Sequence, residues 1–88
     1  MKPTASDLQT MSAALDEARA SLGTGDVPVG AVVLDSNGRI IGRGRNTREA
    51  ARDPMGHAEI NALREAAQHL DDWRLDDCTL VVTPEPCT

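Results

Sequence analysis

The sequence predicts an α/β domain in which helices pack against a β-sheet, and three patterns predict it. Apolar residues at helical spacing between Leu8 and Leu22 indicate a first helix that ends at Gly23. The nearly unbroken apolar run Val27–Leu34 is typical of a strand covered on both faces. A second helical pattern begins near His57 and is followed by another apolar strand. The order helix, hairpin, helix, strand fits a sheet with helices packed on it.

The segment after the first strand predicts a β-hairpin. Asp35–Gly38 supplies the turn, because an Asn-Gly pair accepts positive φ, and Arg39–Arg45 returns as the second strand. Thr79–Thr83 reads as a third, buried strand. The apolar face predicted for the first helix consists of Leu8, Met11, Leu15, Ala18 and Leu22. The face predicted for the second helix consists of Ile60, Leu63, Ala67 and Leu70, while Ala58, Ala62 and Ala66 would permit close packing.

Length and composition restrict the class of protein. A chain of 88 residues allows one small domain, and its core must be aliphatic because it contains no Phe or Tyr and a single Trp. No signal peptide is readable, and no stretch approaches the ~20 apolar residues of a membrane span. Two cysteines do not make a secreted disulfide framework. The sequence therefore predicts a soluble, cytoplasmic protein that does not contact a membrane.

The charge distribution leaves two interpretations open. A net charge of −5 argues weakly against an extensive nucleic-acid surface. Five of the nine basic residues nevertheless fall within fourteen positions just before His57: Arg39, Arg43, Arg45, Arg48 and Arg52. They form either a solvated face or a rim that contacts phosphates beside an active site.

The chemistry centres on His57, Glu59 and Cys87. On the surface of a regular helix His57 and Glu59 would point about 200° apart, so their side chains can meet only at a helix N-terminus. Cys87 follows Pro86 at the predicted start of another helix, a setting that favours a thiolate. Imidazole and thiolate are zinc ligands, and a carboxylate beside them can transfer protons. The spacing H-x-E followed by P-C is the first part of a recognised zinc-deaminase signature.

Each of these residues also has a purely structural interpretation. A lone His-x-Glu is common by chance, and His57 would then be a helix cap. Cys87 alone would be an ordinary buried thiol, as Cys78 is expected to be, and Trp73 would fill the core. Their combination with Asp53-Pro54 in this order of elements favours the catalytic interpretation.

The matching segments resemble the N-terminal half of the bacterial tRNA-specific adenosine deaminases, within the cytidine-deaminase-like superfamily. They are Asp26–Val32, Gly42–Asn46, Asp53-Pro54, His57–Ile60 and Val82–Cys87. The resemblance implies a three-layer α/β/α sandwich with a mixed sheet, here truncated after the third strand. It also implies a homodimer that binds one Zn²⁺ per active site and converts the wobble adenosine of a tRNA anticodon loop to inosine.

Carried over position by position, the resemblance implies a role for six residues. His57 and Cys87 would be zinc ligands, and Glu59 would be the catalytic proton shuttle. Three positions would bind the substrate: Asn46 by its side chain, Ala58 by its backbone beside the flipped base, and Val29 as the wall beneath that base.

One departure from the family pattern concerns the metal. The second cysteine of the family motif would stand three positions after Cys87, and the sequence ends at Thr88. We therefore expect residues 1–88 to be the incomplete N-terminal part of a single zinc-dependent deaminase domain. We expect the isolated chain, short of one ligand, to be inactive and to need a second copy or a complementary C-terminal half.

Three alternatives stay open. The segment His57–Ala66 also resembles the deaminase of riboflavin biosynthesis, which usually carries histidine where Asn46 stands and lacks the Asp53-Pro54 pair. Free-base deaminases acting on guanine or cytosine share the zinc motif. A different class is a non-catalytic fragment, or one half of a split deaminase. Asn46 together with Asp53-Pro54 favours tRNA.

Overall fold

The computed structural model describes residues 5–48, 51–72 and 74–83. Its elements are α1 (Ala5–Leu22), β1 (Gly30–Leu34), β2 (Ile40–Arg45), α2 (Ala58–Leu70) and β3 (Thr79–Val82). The predicted order of helix, hairpin, helix and strand is confirmed. Trp73 and the helix predicted to open at Pro86-Cys87 lie outside the described residues. No helix within the described ranges is both long and apolar enough to cross a membrane.

The sheet has the strand order β2-β1-β3 and places β1 at its centre. Because successive side chains of a strand point to opposite faces, β1 contributes to two cores. Ala31 and Val33 pack in the cluster that includes α2, whereas Val32 packs against α1. A helix therefore covers each face, which confirms the α/β/α sandwich of the cytidine-deaminase-like fold. Both described strand pairs are antiparallel, so the parallel pairing of a mixed sheet is not among them.

The predicted turn forms between β1 and β2, with a positive φ at Gly38 but not at Asn37. Gly38 adopts a positive φ of 81°, which glycine tolerates because it has no Cβ. The Asp35 carboxylate accepts hydrogen bonds from the backbone N–H groups of Asn37 and Arg39, both at 2.9 Å. An aspartate side chain thus fixes the hairpin that brings β2 alongside β1.

The contact between α2 and the sheet is made by small residues. The buried face of α2 consists of Ala58, Ala62 and Ala66. Opposite them lie Gly42 and Gly44, where an added Cβ would overlap backbone atoms of α2. The close packing predicted for these alanines is confirmed. The predicted face of Ile60, Leu63, Ala67 and Leu70 is wrong, because the glycines of β2 let the alanine side of the helix approach most closely. Of that predicted face, Leu63 packs partly against the core and Leu70 is exposed.

The same preference for small residues orients α1. Ala14 and Ala18 are buried against Gly30, where a Cβ would overlap the α1 backbone. Thr10 and Ser21 extend this buried side, so the larger apolar residues turn outward. The predicted face is therefore wrong except at Ala18. We call the outward apolar residues of this helix the α1 stripe: Leu8, Met11, Leu15 and Leu22.

Candidate active site

The start of α2 brings His57 and Glu59 together. His57 is the N-cap residue, with an extended backbone (φ −84°, ψ 145°), and Glu59 lies in the first turn. The extended cap changes the direction of the first side chain, so His57 Nδ1 and Glu59 Oε1 lie 3.9 Å apart. Both side chains are about two-fifths exposed (42% and 40%). An imidazole and a carboxylate therefore share one accessible position at a helix N-terminus.

The first residue of α2 is bonded to a residue from another element. An N-cap side chain normally accepts a hydrogen bond from the first turn, but the His57 side chain makes none. The N–H of Ala58, the first helical residue, is donated to Asn46 Oδ1 at 3.0 Å. The imidazole of His57 thus remains available for another partner.

Asn46 lies just beyond β2 and connects four segments. Its Nδ2 donates to the carbonyl of Val27 at 3.0 Å, and its backbone N–H donates to the carbonyl of Val29 at 3.2 Å. Its own carbonyl accepts from the hydroxyl of Ser21, near the end of α1. Asn46 is 8% exposed, and Val29 and Ala58 are buried. The predicted substrate-contact residues are therefore neighbours, joined through Asn46.

Sequence reasoning missed a second asparagine, Asn61. It lies one turn into α2, where its Nδ2 donates to the carbonyl of Arg45 at 2.8 Å and to Thr47 Oγ1 at 2.9 Å. This side chain attaches α2 to the end of β2 a second time. The only sequence signal was an asparagine, a weak helix former, inside a segment of strong helix formers.

Zinc ligands were predicted at His57 and Cys87. Cys87 lies outside the described residues, and among the residues that are described no three His, Cys, Asp or Glu side chains converge. The imidazole of His57 is partly exposed and makes no capping hydrogen bond, so it fits the chemistry of one zinc ligand. Cys78 is a half-buried thiol packed against the core that includes α2, as expected of a structural cysteine.

The arginines interpreted as either a solvated face or a phosphate-contacting rim do not all line one cavity. Arg43 and Arg45 line a groove of about 540 Å³ along β2, together with Glu17, Asn61 and Glu65. The Nε atom of Arg45 is buried and has no hydrogen-bond partner among the described residues. This groove carries both signs of charge, so it is not a uniformly basic surface.

Arg48 lines a different cavity, of about 160 Å³, with Asp26 and Asn46. Asp26 is 5% exposed and accepts a hydrogen bond from the Thr24 hydroxyl at 2.6 Å. Arg48 is thus the arginine that shares a cavity with a predicted substrate contact. The cavity is smaller than the sites that enclose whole drug-sized ligands.

The family follows from a sequence comparison over almost the whole chain. The family model for the cytidine and deoxycytidylate deaminase zinc-binding region matches residues 4–88. The chain belongs to this deaminase family.

Two curated proteins contain a segment similar to this chain. The chain is 48% identical over 77 residues to a tRNA-specific adenosine deaminase of Streptococcus pyogenes, covering 88% of this chain and 48% of that protein. It is 61% identical over 62 residues to a tRNA(Ile)-lysidine synthase of Deinococcus radiodurans, covering 70% of this chain and 11% of that protein. This deaminase-family chain thus spans about half the length, or less, of these relatives.

Solved deaminase structures share the fold. A tRNA:A34 deaminase studied for A-to-I editing at the wobble position superposes with a TM-score of 0.83 at 41% identity, covering 92% of this chain and 62% of that one. The guanine deaminase of Bacillus subtilis superposes with a TM-score of 0.78 at 35% identity, covering 91% of this chain and 51% of that one.

Proposed function

We propose that this chain is the N-terminal part of a zinc-dependent domain that converts the wobble adenosine of a tRNA anticodon to inosine in the cytoplasm. The observation that carries the proposal is the accessible pairing of His57 and Glu59 at the start of α2, 3.9 Å apart, with the His57 side chain free of any capping bond. The likeness to tRNA-specific adenosine deaminases supports tRNA as the substrate.

The reaction adds water to C6 of adenosine and releases ammonia. In the proposed mechanism Glu59 accepts one proton from the attacking water and passes it to the ring nitrogen N1. It then takes the second proton from the new C6 hydroxyl and transfers it to the amine, so that ammonia leaves and the C6 carbonyl of inosine forms. Its partial exposure gives the carboxylate access to a base that has left its stack. Val29 and the Ala58 backbone would form the wall and edge of the base pocket.

Zinc, held by His57 and Cys87, would supply Lewis acidity for activating water at neutral pH. A catalytic zinc site usually has three protein ligands, and the sequence offers two at the predicted positions. We therefore expect the isolated 88-residue chain to bind zinc weakly and to turn over no RNA. The active form would need a further ligand from outside residues 1–88.

Exposed apolar surface supports a partner that completes the domain. Leu80 and Val82 of β3 are 40% and 37% exposed, and the α1 stripe reaches 62% exposure at Leu22. Side chains of this size are normally covered when they are grouped. We propose that a complementary C-terminal half covers β3 and the α1 stripe; a homodimer is the other arrangement consistent with these surfaces.

The test combines the chain with the C-terminal half of the Streptococcus pyogenes relative. Inosine is measured in an anticodon stem-loop incubated with the chain alone, with the complementary half alone, and with both. We expect inosine from the combination and none from either part. Activity of the chain alone would refute the split arrangement. If the parts form a complex that binds zinc but leaves the stem-loop unchanged, the tRNA assignment fails.

The structural likeness to guanine deaminase favours a second candidate, deamination of a free purine base. The same complex should then release ammonia from free guanine and leave the stem-loop unchanged. Ammonia release from guanine, adenosine and the stem-loop at equal concentrations separates the two functions.

A further inference from the structure

We propose that Asn46 is a positioning residue that holds the start of α2 for the metal and sets its distance from Val29. The inference rests on the proposed function in one respect, because it takes His57 to be a metal ligand. It goes beyond the predicted contact between Asn46 and substrate, because it assigns Asn46 a role before any substrate binds.

The first step concerns the two demands on His57. A residue at an N-cap position normally uses its side chain to accept a first-turn N–H, since those donors have no partner within the helix. A histidine nitrogen that binds a metal cannot also accept such a bond. In this chain the Ala58 N–H is accepted by Asn46 Oδ1 from outside the helix. Ala58 is the first helical residue, whose N–H an N-cap side chain does not normally accept. Asn46 therefore fixes the backbone next to His57, while the His57 imidazole makes no capping bond and is left for the metal.

The second step concerns the residue type. The Ala58 N–H requires an acceptor and the Val27 carbonyl requires a donor, and Asn46 meets both with one side chain at 3.0 Å each. A carboxylate would supply only acceptors, and a serine is too short to reach both partners. The two fixed partners also define which end of the amide is oxygen.

The third step concerns the coupling of two parts of the site. The backbone N–H of Asn46 bonds to the carbonyl of Val29, so one buried residue joins the predicted base wall to the helix that carries His57. Movement of α2 relative to Val29 would break at least one of these bonds. Loss of residues that hydrogen-bond to a metal ligand typically lowers metal affinity. Asn46 would act one step further out, because it orients His57 through the backbone of Ala58.

The experiment uses the ¹⁵N-labelled 88-residue chain and measures two quantities: amide hydrogen exchange at Ala58 and the affinity for Zn²⁺ alone, by competition with a chromophoric chelator. We expect Asn46→Ala to accelerate Ala58 exchange and to weaken zinc binding by roughly 10–100-fold. Asn46→Asp keeps an acceptor for Ala58 but has no donor for Val27, so Ala58 should stay more protected than in Asn46→Ala while part of the zinc affinity is lost. If Asn46→Ala does not fold, Asn46→Ser takes its place.

Asn61→Ala is the matched control. It removes a second asparagine that ties α2 to the end of β2, but Asn61 does not bond to Ala58 or Val29. We expect it to lower the free energy of unfolding. Zinc affinity should stay unchanged, and so should the protection of the Ala58 amide measured relative to global unfolding. Equal loss of affinity in both alanine variants, or unchanged Ala58 protection in Asn46→Ala, would overturn the proposal. A chain that binds no zinc would contradict the metal assignment alone, because Ala58 exchange still reports on the positioning role.

Discussion

At the scale of single residues, Glu59 is the side chain whose chemistry can be separated from its structural role. Glu59→Gln keeps the shape but cannot accept a proton, so inosine formation by the completed enzyme should fall by a factor of roughly 10²–10⁴. Because the side chain is partly exposed, the free energy of unfolding should change by no more than about 0.5 kcal/mol. Single-turnover assays and urea unfolding measure the two effects.

Glu65→Gln is the control for this substitution, since Glu65 is an exposed carboxylate on the same helix. It should leave the single-turnover rate unchanged. A Glu59→Gln enzyme within tenfold of the parent would remove Glu59 from the proposed proton transfer.

Thr83 provides a second prediction at this scale. It is 4% exposed, its Oγ1 accepts the Gly30 N–H at 3.0 Å, and its own N–H donates to the Gly30 carbonyl at 2.9 Å. Thr83→Val preserves the shape but leaves the Gly30 N–H without its acceptor, which should cost about 1–3 kcal/mol in urea unfolding. Thr79→Val, at an exposed position of β3, should change stability by less than about 0.5 kcal/mol. Equal effects of the two variants would contradict this account.

The two asparagines show how far single residues could be predicted. Asn46 was recognised because it stands in a segment that resembles a family pattern, yet its bonds to Val27 and Ala58 join positions 19 and 12 residues away. Asn61 belongs to no motif, and its partners are 14 and 16 residues away. Sequence spacing does not reveal such long-range hydrogen bonds, so the type of residue was predictable and its contacts were not.

At the scale of elements, the contact between β2 and α2 decides where the active-site helix lies. A Cβ at Gly44 would overlap the Ala58 carbonyl oxygen and approach the Ala62 nitrogen, both of which are backbone atoms that cannot rotate away. Gly44→Ala should therefore lower the free energy of unfolding by about 1–3 kcal/mol or more and displace the start of α2. Urea unfolding and Ala58 hydrogen exchange test the two consequences.

Gly23→Ala is the comparison for Gly44→Ala. A Cβ at Gly23 meets only the Ala20 carbonyl oxygen, at an ordinary contact distance of 3.6 Å. This variant should be as stable as the parent or slightly more stable. If Gly44→Ala were tolerated as well as Gly23→Ala, the close approach of β2 to α2 would not determine the helix position.

Element order was predictable, and so was the close packing of Ala58, Ala62 and Ala66, whereas the buried faces assigned to the larger apolar residues were wrong. Hydrophobic periodicity located α1, α2 and the three strands within a few residues. It also selected the largest apolar side chains as the inner face, and for Leu8, Leu22 and Leu70 that choice was wrong. The close backbone approach at glycines, not the size of the side chains, decides which face of each helix is buried. A single sequence does not indicate which glycines will face a helix.

At the scale of the whole molecule, the two edges of the described sheet differ. The β2 edge carries Arg43 and Arg45, whereas β3 contains no charged residue. Charges discourage strand pairing between molecules, so β3 is the edge that favours association. The α1 stripe adds apolar surface on one of the helical layers. We expect the isolated chain to self-associate at high concentration.

Val82→Lys tests this expectation, because it places a charge on the outer strand at a position that is 37% exposed. Sedimentation velocity should shift toward monomer at concentrations where the parent chain associates. Ser12→Lys adds the same charge at an exposed position of α1 and should leave association unchanged. Association that persists in Val82→Lys and disappears in Ser12→Lys would locate the interface on α1 instead of β3.

The alanine and glycine contact between α2 and β2 has a consequence for entropy. Burying a Leu or Met side chain costs free energy because rotamers are lost, whereas Ala and Gly have no rotamers to lose. Ala58, Ala62, Gly42 and Gly44 therefore join helix to strand with no side-chain ordering cost and with no alternative packing of the same residues. At these four positions no side-chain rotamer can change, so local motion there requires displacement of the backbone. The relative positions of His57 and Glu59 should consequently vary less with temperature than they would on a helix that packs through leucine side chains.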